Sequence, residues 1–251
     1  MQINTQKTKI FYCNTSRKYD FFPRYYINNE HLEVVESTKL LGLYIQSNCK
    51  FETNTRQLVK KASSKQWFLR RLKTLGAGTE TLTDIYKMFI RVNTEYCVPV
   101  WNGALSKTQR NSIEQIQRSS ARIILGNNYY YDTALNDLDL ELLETRRGNI
   151  CLKFARSCVK DDRFAHIFPK RAGPTTRSKT VYIEPQCRKK RYENSCVPYL
   201  TRLLNSKSWI IICWLLKPNL VTCWTMGVMQ GRNQEELLQW SAQCVSPYHL
   251  F

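Results

Sequence analysis

The residues best suited to chemistry in this sequence are the cations of one basic segment. Seven of them lie between Glu52 and Glu80, where the chain contains no acidic residue. A solvated helix usually mixes charges, because Glu–Lys pairs four residues apart stabilise it and like charges destabilise it. A polyanion would offset the repulsion through counterion release. The segment is therefore a candidate phosphate-binding helix, or alternatively a basic surface helix without a ligand. Its cations are Arg56, Lys60, Lys61, Lys65, Arg70, Arg71 and Lys73.

A second basic segment follows Pro169. Eight cations up to Arg191 face a single acid, Glu184, and Gly173-Pro174 and Pro185 break any helix. The pattern indicates a loop or an extended arm, which either contacts phosphate or is a solvated linker. The candidate phosphate ligands are Arg188, Lys189, Lys190 and Arg191, a run that also resembles a nuclear-localisation cluster.

The acidic residues do not form a recognisable metal site. Two-metal phosphoryl chemistry needs paired carboxylates, and Asp161-Asp162 is the only adjacent pair of aspartates. This pair follows a predicted helix and has no apolar strand around it. We therefore expect no catalytic residue and no metal ligand in this chain, and nothing in the sequence indicates a small-molecule substrate site.

The ten cysteines argue against both zinc and a disulfide scaffold. No two of them form a Cys-x-x-Cys pair, and the three histidines are not at ligand spacing from them. Mostly buried, reduced thiols are expected, as in a nuclear or cytoplasmic protein. The first residues have no apolar run and so do not form a signal peptide.

Apolar periodicity predicts the elements that position the basic residues. A helix is expected over residues 53–75, ending at Gly76, with Thr79 able to cap the next helix. Lys65 is the only charged residue in its apolar stripe, which otherwise consists of Leu58, Ala62, Leu69, Leu72 and Leu75.

Residues 82–125 contain two further helix patterns joined through Pro99, which is expected to hold Val98 in an extended conformation. Trp101 should be buried beside this joint, and Gly126 should end the second helix in a left-handed conformation. The apolar stripes are Leu82, Ile85, Tyr86 and Phe89 in the first helix and Ile113, Ile116, Ser120, Ile123 and Ile124 in the second.

Two more helix faces read as structural. On the helix over 106–125, the alternating charges Arg110, Glu114 and Arg118 are typical of a solvated face. A helix over 141–160 should direct its stripe into the bundle, although Gly148 weakens it unless close packing requires a glycine. That stripe contains Leu143, Arg147, Ile150, Cys151, Phe154 and Cys158.

The first 50 residues read as β structure. Short apolar runs begin at Ile10, Glu33 and Leu40, Asn28-Asn29 is a plausible turn, and Gly42 suggests a bulge or a close backbone approach. From the residues alone, an ordinary small sheet capping a helical domain is one interpretation.

An ordered series of short motifs runs through the chain. They are Ile90-Arg91, Glu95-Tyr96, Pro99-Val100-Trp101, Arg122-Ile123-Ile124-Leu125-Gly126, Leu142-Leu143-Glu144-Thr145-Arg146-Arg147 and Val197-Pro198-Tyr199-Leu200. Over roughly residues 4–205 the sequence resembles the C-terminal region of non-LTR (LINE-type, jockey-like) retrotransposon reverse transcriptases.

The resemblance implies roles for specific residues. Lys7 would lie near the phosphates of the incoming nucleotide, and the hairpin at Leu41, Gly42 and Leu43 would grip the primer terminus. The helix over 53–75 would be the first thumb helix, lying along the RNA template–DNA primer duplex. The family enzyme uses Mg²⁺ held by aspartates on a hairpin that normally precedes Lys7. Because this sequence lacks them, we expect the chain to bind no cofactor and to be inactive alone.

The sequence therefore predicts an α+β fold with a small antiparallel β element, a mostly helical thumb-like bundle, a basic irregular arm and a poorly defined tail. The predicted segments are 1–50, 51–165, 166–207 and 208–251. The function expected is that of a reverse transcriptase fragment that binds nucleic acid. The alternatives are a stand-alone, non-enzymatic helical nucleic-acid-binding protein and a translated relic without a role.

The formal net charge of +18 favours a polyanionic partner, and nucleic acid is expected before membrane. The tail, residues 208–251, holds two basic and two acidic side chains and adds nothing to that excess. Its apolar run is split by Lys217-Pro218-Asn219 into pieces of eight and ten residues, whereas a bilayer span needs about 20. A membrane anchor is thus the weaker interpretation, and a tail without selected structure the stronger one.

Overall fold

The computed structural model describes residues 4, 7–13, 23–172 and 180–216, of which 207–216 are described by their backbone alone. The predicted tail therefore lies outside the described residues except where a final helix continues to Leu216. Arg177 and Lys179 of the predicted arm also lie outside them.

The N-terminal part forms three two-stranded sheets. The strands are β1 (Lys9–Phe11), β2 (Tyr26–Ile27), β3 (Glu30–His31), β4 (Glu33–Val35), β5 (Ser37–Leu40) and β6 (Leu43–Gln46). β2–β3 and β5–β6 are antiparallel hairpins, whereas β1 pairs with β4 in parallel. A parallel pair needs a long connection, and here residues 12–32, which include the β2–β3 hairpin, supply it.

Both hairpins turn through two residues with positive φ, as right-handed strand twist favours. Asn28 and Asn29 have φ of 50° and 63°, which confirms the predicted turn. In the second hairpin Leu41 and Gly42 have φ of 46° and 87°. Gly42 is thus a turn residue and not a bulge inside a strand, as one of the two predictions had it. The other, a close backbone approach, stays a prediction, because a Cβ on Gly42 would meet the Tyr96 ring at 3.5 Å, an ordinary van der Waals distance.

Most of the remaining chain is helical. The helices are α1 (Glu52–Thr74), α2 (Thr79–Ile85), α3 (Val92–Glu95), α4 (Val98–Trp101), α5 (Lys107–Leu125), α6 (Tyr131–Asp137), α7 (Leu143–Lys160), α8 (Asp162–Ala165), α9 (Lys190–Glu193) and α10 (Cys196–Leu216). A π-helical segment, Tyr86–Arg91, joins α2 to α3, and a 3₁₀ turn, Asn102–Ala104, follows α4.

Helices α1 and α5 run side by side in the same direction. Gln109 at the start of α5 donates a hydrogen bond to the Thr55 hydroxyl at 3.3 Å, and Lys73 at the end of α1 donates to the Ile124 carbonyl at 3.0 Å. Midway, the buried Gln66 amide donates to the Ile116 carbonyl at 2.9 Å. Burying this amide without partners would be costly, so these bonds fix the register of the two helices.

Two apolar clusters flank the α1–α5 pair. One surrounds the fully buried Trp101 and receives side chains from β6, α7 and α10, such as Leu43, Leu143 and Leu200. The other packs α2, the π-helical segment and α6 against the C-terminal halves of α1 and α5. The α1–α5 pair therefore lies at the centre of the bundle, and the packing on both sides of it fixes the position of α1.

The ends of α1 and α2 differ in part from the prediction. After α1, the Ala77 amide donates to the Leu72 carbonyl and Gly76 has φ of 87°, a left-handed helix end that confirms the predicted stop. Leu75, which was placed in the buried stripe, is exposed because the helix has already ended. Gly78, not Thr79, is the N-cap of α2; the Thr79 side chain makes no capping hydrogen bond.

The π-helical segment changes which side chains are buried. A 3.6-residue period had predicted Phe89 inside, yet Phe89 is exposed and Ile90 is fully buried. A π turn contains one extra residue, so the buried positions follow a spacing of four. These positions are Leu82, Tyr86, Ile90 and Thr94.

The joint before Trp101 also differs from the prediction. Val98 and Pro99 form the first turn of α4, where proline is tolerated because that amide has no helical partner. The chain is interrupted one residue earlier, at Cys97, whose φ of 52° lies in the left-handed region. Trp101 is buried as predicted and donates from Nε1 to the Tyr96 carbonyl at 2.9 Å.

The predicted stripes of α5 and α7 are largely confirmed. Ser106 and Gln109 form a reciprocal capping box at the start of α5. At its end Gly126 has φ of 108° and ψ of 177°, which is positive but not the left-handed helical conformation expected. In α7, Leu143, Arg147 and Cys151 are buried, whereas Phe154 is exposed.

The C-terminal arm packs back on the bundle. Its two sides meet in one antiparallel bridge, Lys170 with Tyr182. The buried Asn205 side chain of α10 donates to the Tyr182 carbonyl at 3.1 Å and accepts from the Tyr182 amide at 3.0 Å. Helix α10 is longer than the predicted short helix. Its buried residues include Leu200, Thr201 and Leu204.

These elements confirm the predicted α+β class, with small strands preceding a mostly helical bundle. The segment boundaries remain predictions. In the described part of the chain, no helix combines the length and apolar character required to span a bilayer.

Candidate nucleic-acid interface

Five of the seven predicted cations of α1 point into solvent. None of the five has an ion-pair partner within the described chain. Four of them are spaced so that they share one side of the helix, since residues three, four or seven apart lie on the same face. These are Arg56, Lys60, Arg70 and Arg71, with Lys61 exposed on the neighbouring side.

The other two predicted cations are engaged within the protein. The Lys65 ammonium donates to the Phe89 carbonyl at 3.2 Å and lies 4.1 Å from the centre of the Phe89 ring. The Lys73 ammonium donates to the Ile124 carbonyl near the C-terminal end of α5, where a cation is favoured. Lys65 therefore holds α1 to the π-helical segment, and the sequence could not show this because Phe89 was predicted to be buried.

An open cavity of about 630 Å³ lies between the C-terminal ends of α1 and α5. Three cations line it, and the side chains of Thr74, Ser119 and Asn127 add hydroxyl and amide groups. None of the described residues that line the cavity is acidic. It is suited to a phosphate-bearing ligand. Arg122, which the sequence had suggested only as part of a motif, joins Arg70 and Lys73 here because the two helices run in parallel.

Part of the basic run in the arm lies near the start of α1. Lys190 and Arg191 line a cavity of about 290 Å³ together with Cys49, Lys50 and Asn194. Arg188 and Lys189 are exposed, whereas Arg191 is only half-exposed. Lys190 and Arg191 belong to the short helix α9, so this part of the arm is not extended as predicted.

Helix α7 has a basic face that the sequence analysis missed. Lys153, Arg156 and Lys160 are exposed at helical spacing and line an open cavity of about 640 Å³ with Asn149, Leu152 and Ser157. The spacing of three and four residues was the available signal.

The residues assigned by resemblance lie outside these basic surfaces. The backbone amide of Lys7 donates a hydrogen bond to the side chain of Asn4, three residues earlier, at 3.1 Å. Leu41 and Gly42 form the tip of the β5–β6 hairpin, and Leu43 is buried. The Tyr96 hydroxyl donates to the Leu41 carbonyl and so ties the hairpin tip to the bundle.

The charged residues of the α5 face have structural partners on other helices. Arg110 forms an ion pair with Glu144 at 2.9 Å, Glu114 accepts from the Leu143 amide and the Tyr131 hydroxyl, and Arg118 lies over the Tyr131 ring. The sequence had suggested pairs within the helix. The structural interpretation of this face is correct, but the pairing is between elements.

Charged side chains lie partly or fully inside the bundle. Glu95 is bound by Arg91 and Arg146, each from a different element. Arg147 is fully buried and donates to Asn102 at 3.1 Å, and its remaining two guanidinium nitrogens have no hydrogen-bond partner in the described structure. Desolvation lowers the pKa of Arg147.

Neither the aspartate pair nor the cysteines provide a metal site in the described structure. Asp161 caps α8 and binds Arg163 at 2.7 Å, which lowers the pKa of its carboxyl group. The described residues contain no group of three or more His, Cys, Asp or Glu side chains placed to hold a metal ion.

Seven cysteines of the described structure are free thiols. The prediction that they are mostly buried is wrong: Cys151 is buried, Cys13 is exposed and the others are half-buried. Burial raises the pKa of the Cys151 thiol to about 12.

Searches of family models, curated proteins and solved structures found no match to this chain. Only the sequence motifs and the basic surfaces therefore bear on the function of this chain.

Proposed function

We propose that this chain is the nucleic-acid-binding part of a non-LTR retrotransposon reverse transcriptase, without the catalytic aspartates. Its ligand is the RNA template–DNA primer duplex, which it holds by the phosphate backbone. The sequence motifs suggest the family, and the unpaired cations of α1 carry the functional argument. The alternative is a helical nucleic-acid-binding protein that acts on its own.

The observation that carries the proposal is the exposed basic side of α1. Arg56, Lys60 and Arg71 extend over 16 residues of one helix, about 22 Å, with no acidic side chain paired to them in the described structure. Because α1 is fixed to α5 along its length, these charges are held in a straight row. Such a row can contact several phosphates of a duplex, whose strands each carry one charge per about 3.4 Å of the duplex axis.

Backbone contacts of this kind give affinity without sequence preference. The described surfaces contain no carboxylate cluster for metal-assisted phosphoryl transfer. The chain is accordingly proposed to position a duplex, while bond formation requires aspartates from elsewhere.

A comparison of two charge-matched variants tests this proposal. Replacing Lys60, Lys61 and Arg71 by Gln removes three exposed cations from α1. Replacing Lys153, Arg156 and Lys160 by Gln removes three exposed cations from α7. In anisotropy titrations with a labelled RNA–DNA duplex, we expect the α1 variant to lose about tenfold or more in affinity, because several phosphate contacts are lost.

The α7 variant is expected to change affinity much less. Equal losses in the two variants would show that binding follows net charge and not α1. Absence of wild-type binding at low salt would reject both the polymerase-fragment and the stand-alone binding hypotheses.

A further inference from the structure

Trp67 is an unexplained residue on the basic side of α1. Its side chain is 66% exposed at the centre of a well-formed helix, although tryptophan is on average highly buried. No hydrogen bond or ring contact involves Trp67 in the described structure. The adjacent Phe68 differs, because its ring packs edge-on against Phe89 at 5.8 Å. Trp67 is thus the aromatic side chain of α1 that lacks a partner.

The neighbours of Trp67 leave room for its ring. Long side chains on a helix lean toward the preceding turn, and that turn presents only Ser63 and Ser64. The Ser64 hydroxyl donates to the Lys61 carbonyl at 2.9 Å and so remains close to the helix backbone. The ring therefore has only two small side chains in the turn before it, which agrees with its exposure of 66%.

Cations border the exposed Trp67 ring. Arg70 and Arg71 lie three and four residues after Trp67, and Lys60 lies seven residues before it, which places all three on the same side. Arg70 also lines the cavity of about 630 Å³, where Lys73 and Arg122 supply two further positive charges. Arg70 therefore lies between the exposed Trp67 ring and this basic cavity.

We propose that Trp67 stacks on an unpaired base while the cavity of Arg70, Lys73 and Arg122 binds phosphates of the same strand. The ligand class is single-stranded nucleic acid. Bases inside a duplex are already stacked on their neighbours, whereas an unpaired base has a free face for an aromatic ring. This inference rests on the proposed function of α1 and adds a second binding mode at its C-terminal half.

The charge around Trp67 favours this ligand over a protein partner. An apolar docking surface would surround the ring with apolar side chains, but its nearest helical neighbours are two serines and two arginines. Arginine next to an aromatic ring is the combination found where single strands bind without sequence preference.

The experiment uses two oligonucleotides of equal length and charge, one single-stranded DNA and one abasic strand with the same phosphates. Replacing Trp67 by Ala should weaken binding of the DNA strand about 5- to 150-fold, the range for loss of one stacked base. Binding of the abasic strand should not change. Trp67→Phe should retain most of the affinity, because phenylalanine also stacks.

Met88→Ala is the matched control, since Met88 is 69% exposed and lies outside the basic face. It should change neither affinity. Thermal unfolding of Trp67→Ala and Trp67→Phe should match that of the wild type, because an exposed ring contributes little to stability.

The possible failures can be separated. If the wild type binds both strands but Trp67→Ala binds the DNA strand as tightly as before, stacking is rejected and phosphate binding by α1 stands. If Trp67→Ala weakens the binding of both strands equally, Trp67 maintains the structure of α1 and does not contact bases. If the wild type binds neither strand and no duplex, the proposed function itself fails.

Discussion

At the scale of single residues, two glycines in adjacent parts of the bundle have opposite environments. A Cβ added to Gly103 would lie 2.6 Å from Tyr199 and 2.7 Å from the Asn194 carbonyl, closer than atoms can pack. A Cβ added to Gly148, within α7, would meet no atom within 4 Å. Gly103 is therefore required by packing, whereas Gly148 only increases the entropy of the unfolded chain.

Substitution of these glycines gives a paired stability prediction. Gly148→Ala should stabilise the protein by about 0.5–1 kcal/mol, the difference in helix propensity. Gly103→Ala should destabilise it by about 1–3 kcal/mol, because overpacking displaces Tyr199 or the backbone before α10. Urea unfolding followed by circular dichroism measures both changes, and stabilisation by Gly103→Ala would show that α10 does not pack as described.

The environment of a side chain is predictable from the sequence where it is set by the helix to which the residue belongs. The exposure of Arg56, Lys60 and Lys61 follows from the helical period alone. The partner of Lys65 and the clash at Gly103 depend on residues 24 or more positions away. Such contacts have no local signature, which is why the sequence could raise the packing question at Gly148 but could not recognise Gly103.

At the scale of elements, the sequence predicted the long helices α1, α5 and α7 and the turn of the β2–β3 hairpin, but not the π-helical segment. One inserted residue moved the buried position from Phe89 to Ile90. A period of 3.6 residues cannot anticipate such an insertion, because the insertion is stabilised by packing of Tyr86 and Ile90 in the core. Because the period placed Phe89 in the core, the contact between Lys65 and Phe89 was not predicted.

The β5–β6 hairpin provides a test at this scale. Leu41 has φ of 46° and is 85% exposed, so its side chain is strained without being buried. Leu41→Asn should stabilise the protein by about 1 kcal/mol, since asparagine tolerates the left-handed region. The Tyr96 bond is retained because it uses the backbone carbonyl. The thermal midpoint should rise by roughly 2–4 °C.

Asn28→Leu is the reciprocal control, because Asn28 is the first turn residue of the β2–β3 hairpin and has φ of 50°, close to that of Leu41. It should lower the midpoint. A lower midpoint for Leu41→Asn would instead mean that the leucine side chain contributes contacts that its exposure does not show. If Leu41→Asn is stabilising yet weakens primer binding, the strain has a functional reason.

At the scale of the whole molecule, the positive charge is concentrated on surfaces that the helical core displays. The total of +18 and the row of cations on α1 are both features of the sequence itself. The cavity between α1 and α5 was not predicted, because the parallel arrangement of these helices depends on the buried Gln66 and on Gln109. The basic face of α7 was not predicted either, because its exposed cations alternate along the sequence with the buried apolar residues of the same helix.

The salt dependence of duplex binding tests the central claim most directly. Each phosphate contact contributes about −0.9 to the slope of log K against log salt concentration. Substitution of Lys60, Lys61 and Arg71 by Gln removes up to three such contacts. The slope measured on duplex DNA should therefore become shallower by up to about 3 units, and nearly equally for two unrelated sequences. An unchanged slope would contradict the account and would assign the binding surface to the arm or to α7.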